Sequence, residues 1–248
     1  GLEAARGDTV KFLDSDDYLY PGVLEEQYEV LMEAEADVCY GPIDIVDGNG
    51  NKQGHKPNPG VEDLLGGIAT GTVTTYPHVF LYRANVARWT QWRPEVPFHQ
   101  DTAYALDVAV HDPEVVRSEM KVGIHRAHSG TRITTTAKAK SSRENIAYKF
   151  DLLHRALQKR MQCTGDVTDE VREKVAHGLW QEAHKFGPVS FDRFLDCWEN
   201  IRDIVPNYYP ERENFILEIL DKILGVVRTE KAINPIRFFK SRIFQESI

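Results

Sequence analysis

The sequence holds little that would mark a secreted, membrane-spanning or nucleic-acid-binding protein. It has only three cysteines, Cys39, Cys163 and Cys197, scattered through 248 residues. Their odd number and wide spacing suit reduced thiols in a cytoplasmic protein better than a disulfide framework or a zinc site. No apolar run approaches the roughly 18–20 residues of a membrane helix, and no signal-peptide pattern follows Gly1. Positive charge is scarce: 30 Lys and Arg stand against 38 Asp and Glu, a net of −8. That argues against a general nucleic-acid binder, which needs a basic footprint to displace counterions. There is no repeat of fixed period and no low-complexity tract.

What remains is globular, with 42% hydrophobic and 27% charged residues. The charge is uneven. Residues 1–142 hold 13 Lys/Arg and 21 Asp/Glu, whereas residues 143–248 hold 17 of each. Patterning changes at the same place. Before it, β-prone runs at Thr9–Leu13, Asp37–Tyr40, Asp44–Val46, Val79–Tyr82 and Glu119–His125 alternate with helical patterns from Pro21 and from Gln100. Gly48-Asn49-Gly50-Asn51 predicts a hairpin turn. After Ser142 the pattern is helical, in four apolar stripes expected to pack as core: Ile146–Met161, Val171–Leu179, Phe191–Ile201 and Ile216–Val227. The expected architecture is an α/β layer with a mixed sheet over 1–142, then an all-α region over 143–248.

Three motifs carry chemistry. Phe12-Leu13-Asp14-Ser15-Asp16-Asp17 places carboxylates just after a predicted strand, where ligands of α/β sheets sit. Alternation along extended backbone lets Asp14 and Asp16 point the same way, and clustered carboxylates suit Mg²⁺ or Mn²⁺. A helix N-cap by Asp16 or Asp17 explains the same residues equally well. An EF-hand does not, because Leu19 stands where that loop needs Gly. Phe98-His99-Gln100-Asp101 precedes a helix; Asp101 is either its N-cap or a general base. His125-Arg126-Ala127-His128-Ser129-Gly130-Thr131-Arg132 gathers groups that suit phosphate oxygens. A fourth stretch, 228–243, interleaves basic and apolar residues; it is either a packed tail helix or a peripheral contact with an anionic membrane face.

In this order the motifs resemble family 2 glycosyltransferases of the GT-A fold. The likeness covers roughly residues 1–135 and starts at Gly1, so the resemblance implies a fragment lacking the family's opening, base-binding half. It implies that Asp14 and Asp16 hold Mg²⁺ or Mn²⁺ with a nucleotide-sugar donor. It implies that Asp101 deprotonates the hydroxyl of a carbohydrate or lipid-linked acceptor, giving inversion. Asp17, Arg126, His128 and Ser129 fall on the donor diphosphate side, and His99 and Trp92 on the acceptor side. One departure is plain: Gln100 stands where the family has Glu. A metal-dependent phosphohydrolase or nucleotidyltransferase, and a non-catalytic scaffold module, are the competing readings.

Overall fold

The computed structural model describes residues 1–94, 98–127, 143–212 and 214–245, with backbone alone at 143 and 236–245. The first part alternates strands and helices: β1 (Thr9–Val10), β2 (Tyr18–Leu19), α1 (Val23–Glu33), β3 (Val38–Tyr40), β4 (Ile43–Asp47), β5 (Lys52–Lys56), α2 (Leu64–Ala69), β6 (Phe80–Arg83), α3 (Ala84–Ala87), α4 (Gln100–Ala109), β7 (Val115–Arg117) and β8 (Gly123–Ala127). Helices follow: α5 (Arg143–Thr164), α6 (Asp169–Ala183), α7 (Phe191–Ile204), α8 (Phe215–Leu224) and α9 (Val226–Gln245). The chain is thus a mixed α/β fold continued by helices.

The strands form two four-stranded mixed sheets rather than one, in the orders β1-β6-β3-β7 and β2-β8-β4-β5. The switch lies at Gly41-Pro42, between β3 in the first sheet and β4 in the second. Pro42 has no N–H for a ladder, and its carbonyl accepts from Val122 N at 2.7 Å. A Cβ at Gly41 would meet Val122 Cγ2 at 2.7 Å, so the crossing admits little but glycine. β1 stops three residues short of the expected Leu13. The β4–β5 hairpin forms as expected, its turn closed by the Asp47 carboxylate, which accepts from Asn49 N at 2.9 Å and Asn51 N at 2.8 Å. β7, parallel to β3, was not anticipated.

The hydrophobic core runs without interruption from Val10 to Val226. α6 lies so close to α2 that a Cβ at Gly178 would sit 2.3 Å from Ala69 O. The buried Arg160 of α5 donates to Asp63 Oδ2 at 3.0 Å and to Ala109 O at 2.6 Å, and pairs with Asp112. Asp63 in turn caps α2 through Gly66 N at 2.7 Å. One cation therefore joins the start of α2 to the end of α4.

The fourth apolar stripe does not pack as expected. The helix breaks at Gly225, whose φ of 81° lies in the left-handed region. Ile216 is 64% exposed and Ile223 71% exposed. Among the described residues no helix is long and apolar enough to cross a membrane.

Candidate active site

The carboxylate motif folds as a tight turn between β1 and β2, closed by Asp17 N donating to Asp14 O at 3.2 Å. Neither Asp16 nor Asp17 caps α1; the residue before that helix is Gly22, with φ 81°. The turn sorts its three acids by environment. Asp14 is exposed, Asp16 half-buried and Asp17 buried.

Asp17 anchors the turn. Its Oδ1 accepts from Arg126 N at 3.0 Å, and its carboxylate lies 3.1 Å from His125 Nδ1 and 3.0 Å from His78 Nδ1. Burial alone would raise the Asp17 carboxyl, but hydrogen bonds from His125, His78 and the Arg126 N–H outweigh it and hold the group well below the usual carboxylate range. β2 then pairs antiparallel with β8, Tyr18 against Ile124 and Leu19 against Gly123. A Cβ at Gly123 would meet Tyr18 O at 2.3 Å, so only glycine admits this approach. Tyr76 covers the anchor from the other side, its ring 4.1 Å from that of His125 and nearly parallel to it.

Asp101 lies in the first turn of α4. The preceding residue, His99, takes φ 57°, a conformation that non-glycine residues adopt rarely. Its Nε2 meets Asn145 Oδ1 of α5 at 2.6 Å, so the helical region fixes the approach to Asp101. Asp101 does not cap the helix by the usual reach. Its Oδ1 accepts from the neighbouring Thr102 N at 2.7 Å. Burial raises the Asp101 carboxyl above its ordinary value, against the Thr102 N–H and His99, which lower it. Beside it stands an aromatic wall. Trp92 stacks on Tyr104 at 4.7 Å, and Phe12 meets Trp92 edge-on at 5.2 Å and Tyr104 at 5.1 Å.

The turn lies within electrostatic reach of the start of α4. The Asp14 carboxyl is raised first by partial burial and then by the charges of Asp17, Asp16 and Asp101, with His78 opposing. Repulsion among these carboxylates is the electrostatic signature of a place where a cation would be favoured. Among the described residues, no group of three or more His, Cys, Asp and Glu could hold a metal by itself. Two carboxylates completed by water and phosphate oxygens are the usual arrangement for Mg²⁺, and Asp14 and Asp16 fit that partial set.

The remaining expected residues fall as follows. The Arg126 guanidinium donates to Gly48 O at 2.7 Å, tying β8 to the hairpin turn, while its N–H holds Asp17. Trp92 is half-buried in the aromatic wall. His128 and Ser129 lie outside the described residues. Sequence reasoning passed over His78, which is fully buried against Asp17. Its only local signal is a histidine after Tyr76-Pro77 at the head of the β-prone run Val79–Tyr82.

Solved structures similar to the chain include three of S. aureus TarS. Residues 1–349 in complex with UDP-GlcNAc are 16% identical, with 82% of this chain and 67% of that chain covered and a TM-score of 0.49. For the same residues in complex with UDP the values are 16%, 94%, 66% and 0.41. For TarS itself they are 16%, 84%, 41% and 0.43, so the chain spans well under half of that protein. No curated protein matches. The family description "Glycosyl transferase family 2" matches residues 1–101, from the chain's first residue through the carboxylate turn to Asp101. Over residues 1–101 the chain is similar to glycosyl transferase family 2.

Proposed function

We propose that this chain serves an inverting glycosyl transfer from a nucleotide-sugar donor to the hydroxyl of a carbohydrate or lipid-linked acceptor, on a GT-A-type layer. The observation that carries the reading is that the Asp14–Asp16 turn lies within electrostatic reach of the Asp101 carboxyl, which is among the charges that raise Asp14. The family match over 1–101 supports it.

Asp101 accepts the proton of the acceptor hydroxyl as that oxygen attacks the anomeric carbon from the face opposite the leaving diphosphate. Burial raises its carboxyl, which makes it a stronger base than a solvated aspartate. His99, locked to Asn145, fixes where α4 begins and so where Asp101 points. Asp14 and Asp16 would hold Mg²⁺ or Mn²⁺, which would supply positive charge against the diphosphate. Asp17 sets the turn, and Arg126 borders the diphosphate side. Trp92 and His99 border the acceptor side, where a sugar ring can pack on the aromatic wall. The reduced Cys39, Cys163 and Cys197 accord with a cytoplasmic location.

Thermal unfolding with Mn²⁺ and a panel of nucleoside diphosphates tests this. At least one pair of additives raises the Tm of the wild-type chain, and Asp16→Ala abolishes the rise. An Asp16→Ala chain that keeps the full shift overturns the metal assignment.

A further inference from the structure

α8 is mounted with its apolar side outward. Seven of its ten residues are Phe, Ile or Leu, yet Phe215 is 72%, Ile216 64%, Ile219 39% and Ile223 71% exposed. The positions 215, 219, 223 and 216 fall within about a third of the helix circumference at 100° per residue, so they form one stripe.

The inward side of this helix is held by charge instead. Asp221 is buried and receives Arg212 Nε at 2.6 Å and Nη2 at 3.0 Å. The same guanidinium donates to the buried Glu230 of α9 at 2.5 Å and lies 4.8 Å from the Trp180 ring. A buried ion triad thus fixes both helices on α6, and α8 keeps its hydrocarbon in water. Exposed apolar stripes of this kind mark contact surfaces.

The charge beside the stripe selects the occupant. α9 carries Arg228, Lys231, Arg237, Lys240 and Arg242 against a single acid, Glu230. Glu230 is buried and shares Arg212 with Asp221, while Arg228 and Lys231 are exposed. A chain of net charge −8 therefore presents a local cationic margin next to a local apolar stripe. That combination matches an anionic bilayer, which takes up apolar side chains at the acyl boundary and attracts Lys and Arg at the headgroups. A two-fold contact between copies would instead bring Arg228 and Lys231 of each against the same surface of the other.

We infer that α8 and the start of α9 form a docking surface for an anionic lipid membrane, with Phe215, Ile216, Ile219 and Ile223 as the inserting side chains and Arg228 and Lys231 at the headgroups.

Vesicle co-flotation of the full chain tests it, using phosphatidylcholine alone and phosphatidylcholine with about one-third phosphatidylglycerol. The wild type floats with the anionic vesicles and not with the neutral ones. Ile219→Asp/Ile223→Asp and Arg228→Glu/Lys231→Glu each weaken that binding by about tenfold or more. All four side chains face solvent, so both variants keep the wild-type circular dichroism and Tm. Absence of flotation, equal binding to both vesicle types, or anionic binding that either variant leaves intact overturns the inference. So does a dimer in sedimentation velocity that Ile219→Asp/Ile223→Asp dissolves in a chain that does not float.

Discussion

Replacing Asp17 by Asn separates an anchoring role from donor contact. The side chain keeps its size, and its oxygen can still accept from Arg126 N, now 3.0 Å away. What is lost is the negative charge facing His125 Nδ1 at 3.1 Å and His78 Nδ1 at 3.0 Å. Hydrogen bonds to an ionised acceptor are worth about 1 kcal/mol more than neutral ones. Two such bonds and the close His78 contact at a side chain closed to solvent give about 3 kcal/mol. Burying a neutral amide rather than a carboxylate returns part of this, leaving a net destabilisation of about 2 kcal/mol. For a chain of this size, that lowers the urea midpoint by roughly 0.5–1 M at unchanged slope.

The same carboxylate predicts how the difference varies with pH. Asp17 is depressed in the folded state, so its stabilisation is complete above the unfolded pKa, about 3.9, and drains away as pH falls toward the folded value. The wild-type advantage over Asp17→Asn is therefore full at pH 7, shrinks from about pH 5 downward and is still falling at pH 3. Using the difference between the two chains cancels the other acids, including Asp44, which Lys121, Tyr20 and Lys52 hold down at about 2 against the effect of burial. Urea unfolding at pH 7, 5, 4 and 3 is the assay. Equal midpoints at pH 7, or a gap that does not change with pH, refute the anchoring argument. A variant of wild-type stability that loses its response to Mn²⁺ and nucleoside diphosphate would make Asp17 a donor contact instead.

Asp101→Asn lowers the rate of sugar transfer by about 10²–10⁴-fold and leaves donor binding unchanged. It also raises the urea midpoint at pH 7, because the folded state holds a carboxyl that burial pushes up and so becomes less stable as pH rises through that group's titration. A variant with full turnover refutes the base assignment, and a lowered midpoint refutes the electrostatic one. Gly178→Ala sets a methyl 2.3 Å from Ala69 O and 2.8 Å from its carbonyl carbon. Backbone must move, at about 1–3 kcal/mol, read as a lower Tm with little change in the response to metal and nucleotide.

Legibility from sequence followed the range of the interactions. The hairpin at Asp47–Asn51 was visible because its closure is local, a carboxylate accepting from N–H groups two and four residues on. α4 and α5 were visible because helical periodicity survives whatever packs on it. The division into two sheets was not. It depends on how Val122, Met120 and Ser118 crowd Gly41, across almost eighty residues of chain. β7 has three half-buried residues and no alternation to announce it. In the site, Asp14, Asp16 and Asp101 were legible as residue types in order. The division of labour within Asp14-Ser15-Asp16-Asp17 was not, because what makes Asp17 the buried acid is His78, His125 and Arg126 arriving from other elements. α8 misled for the opposite reason. Its stripe is strong, and no local feature tells whether such a stripe turns inward; Arg212, outside the helix, decides it by burying Asp221.

The charge split at residue 142 has a structural meaning that composition alone could not supply. The acidic part owns the carboxylates that face one another, and mutual repulsion raises Asp14 there. Such a cluster needs a rigid frame, because nothing in its own electrostatics holds it together. Much of that frame comes from the charge-balanced helices. Asn145 fixes His99 beside Asp101, and Arg160 joins α2 to α4. Lys159 of α5 also reaches Asp107 of α4 at 3.3 Å, and Arg93 pairs with that same carboxylate. The cations of the second part are thus placed against acids of the first at the ends and flank of α4. These contacts lie on α4 and its ends, away from the Asp14–Asp16 turn. Asp63 and Asp107 are met by cations of the helices, whereas the charges that raise Asp14 are those of other carboxylates. That partition, rather than the net charge of −8, is what distinguishes the site from the rest of the acidic surface.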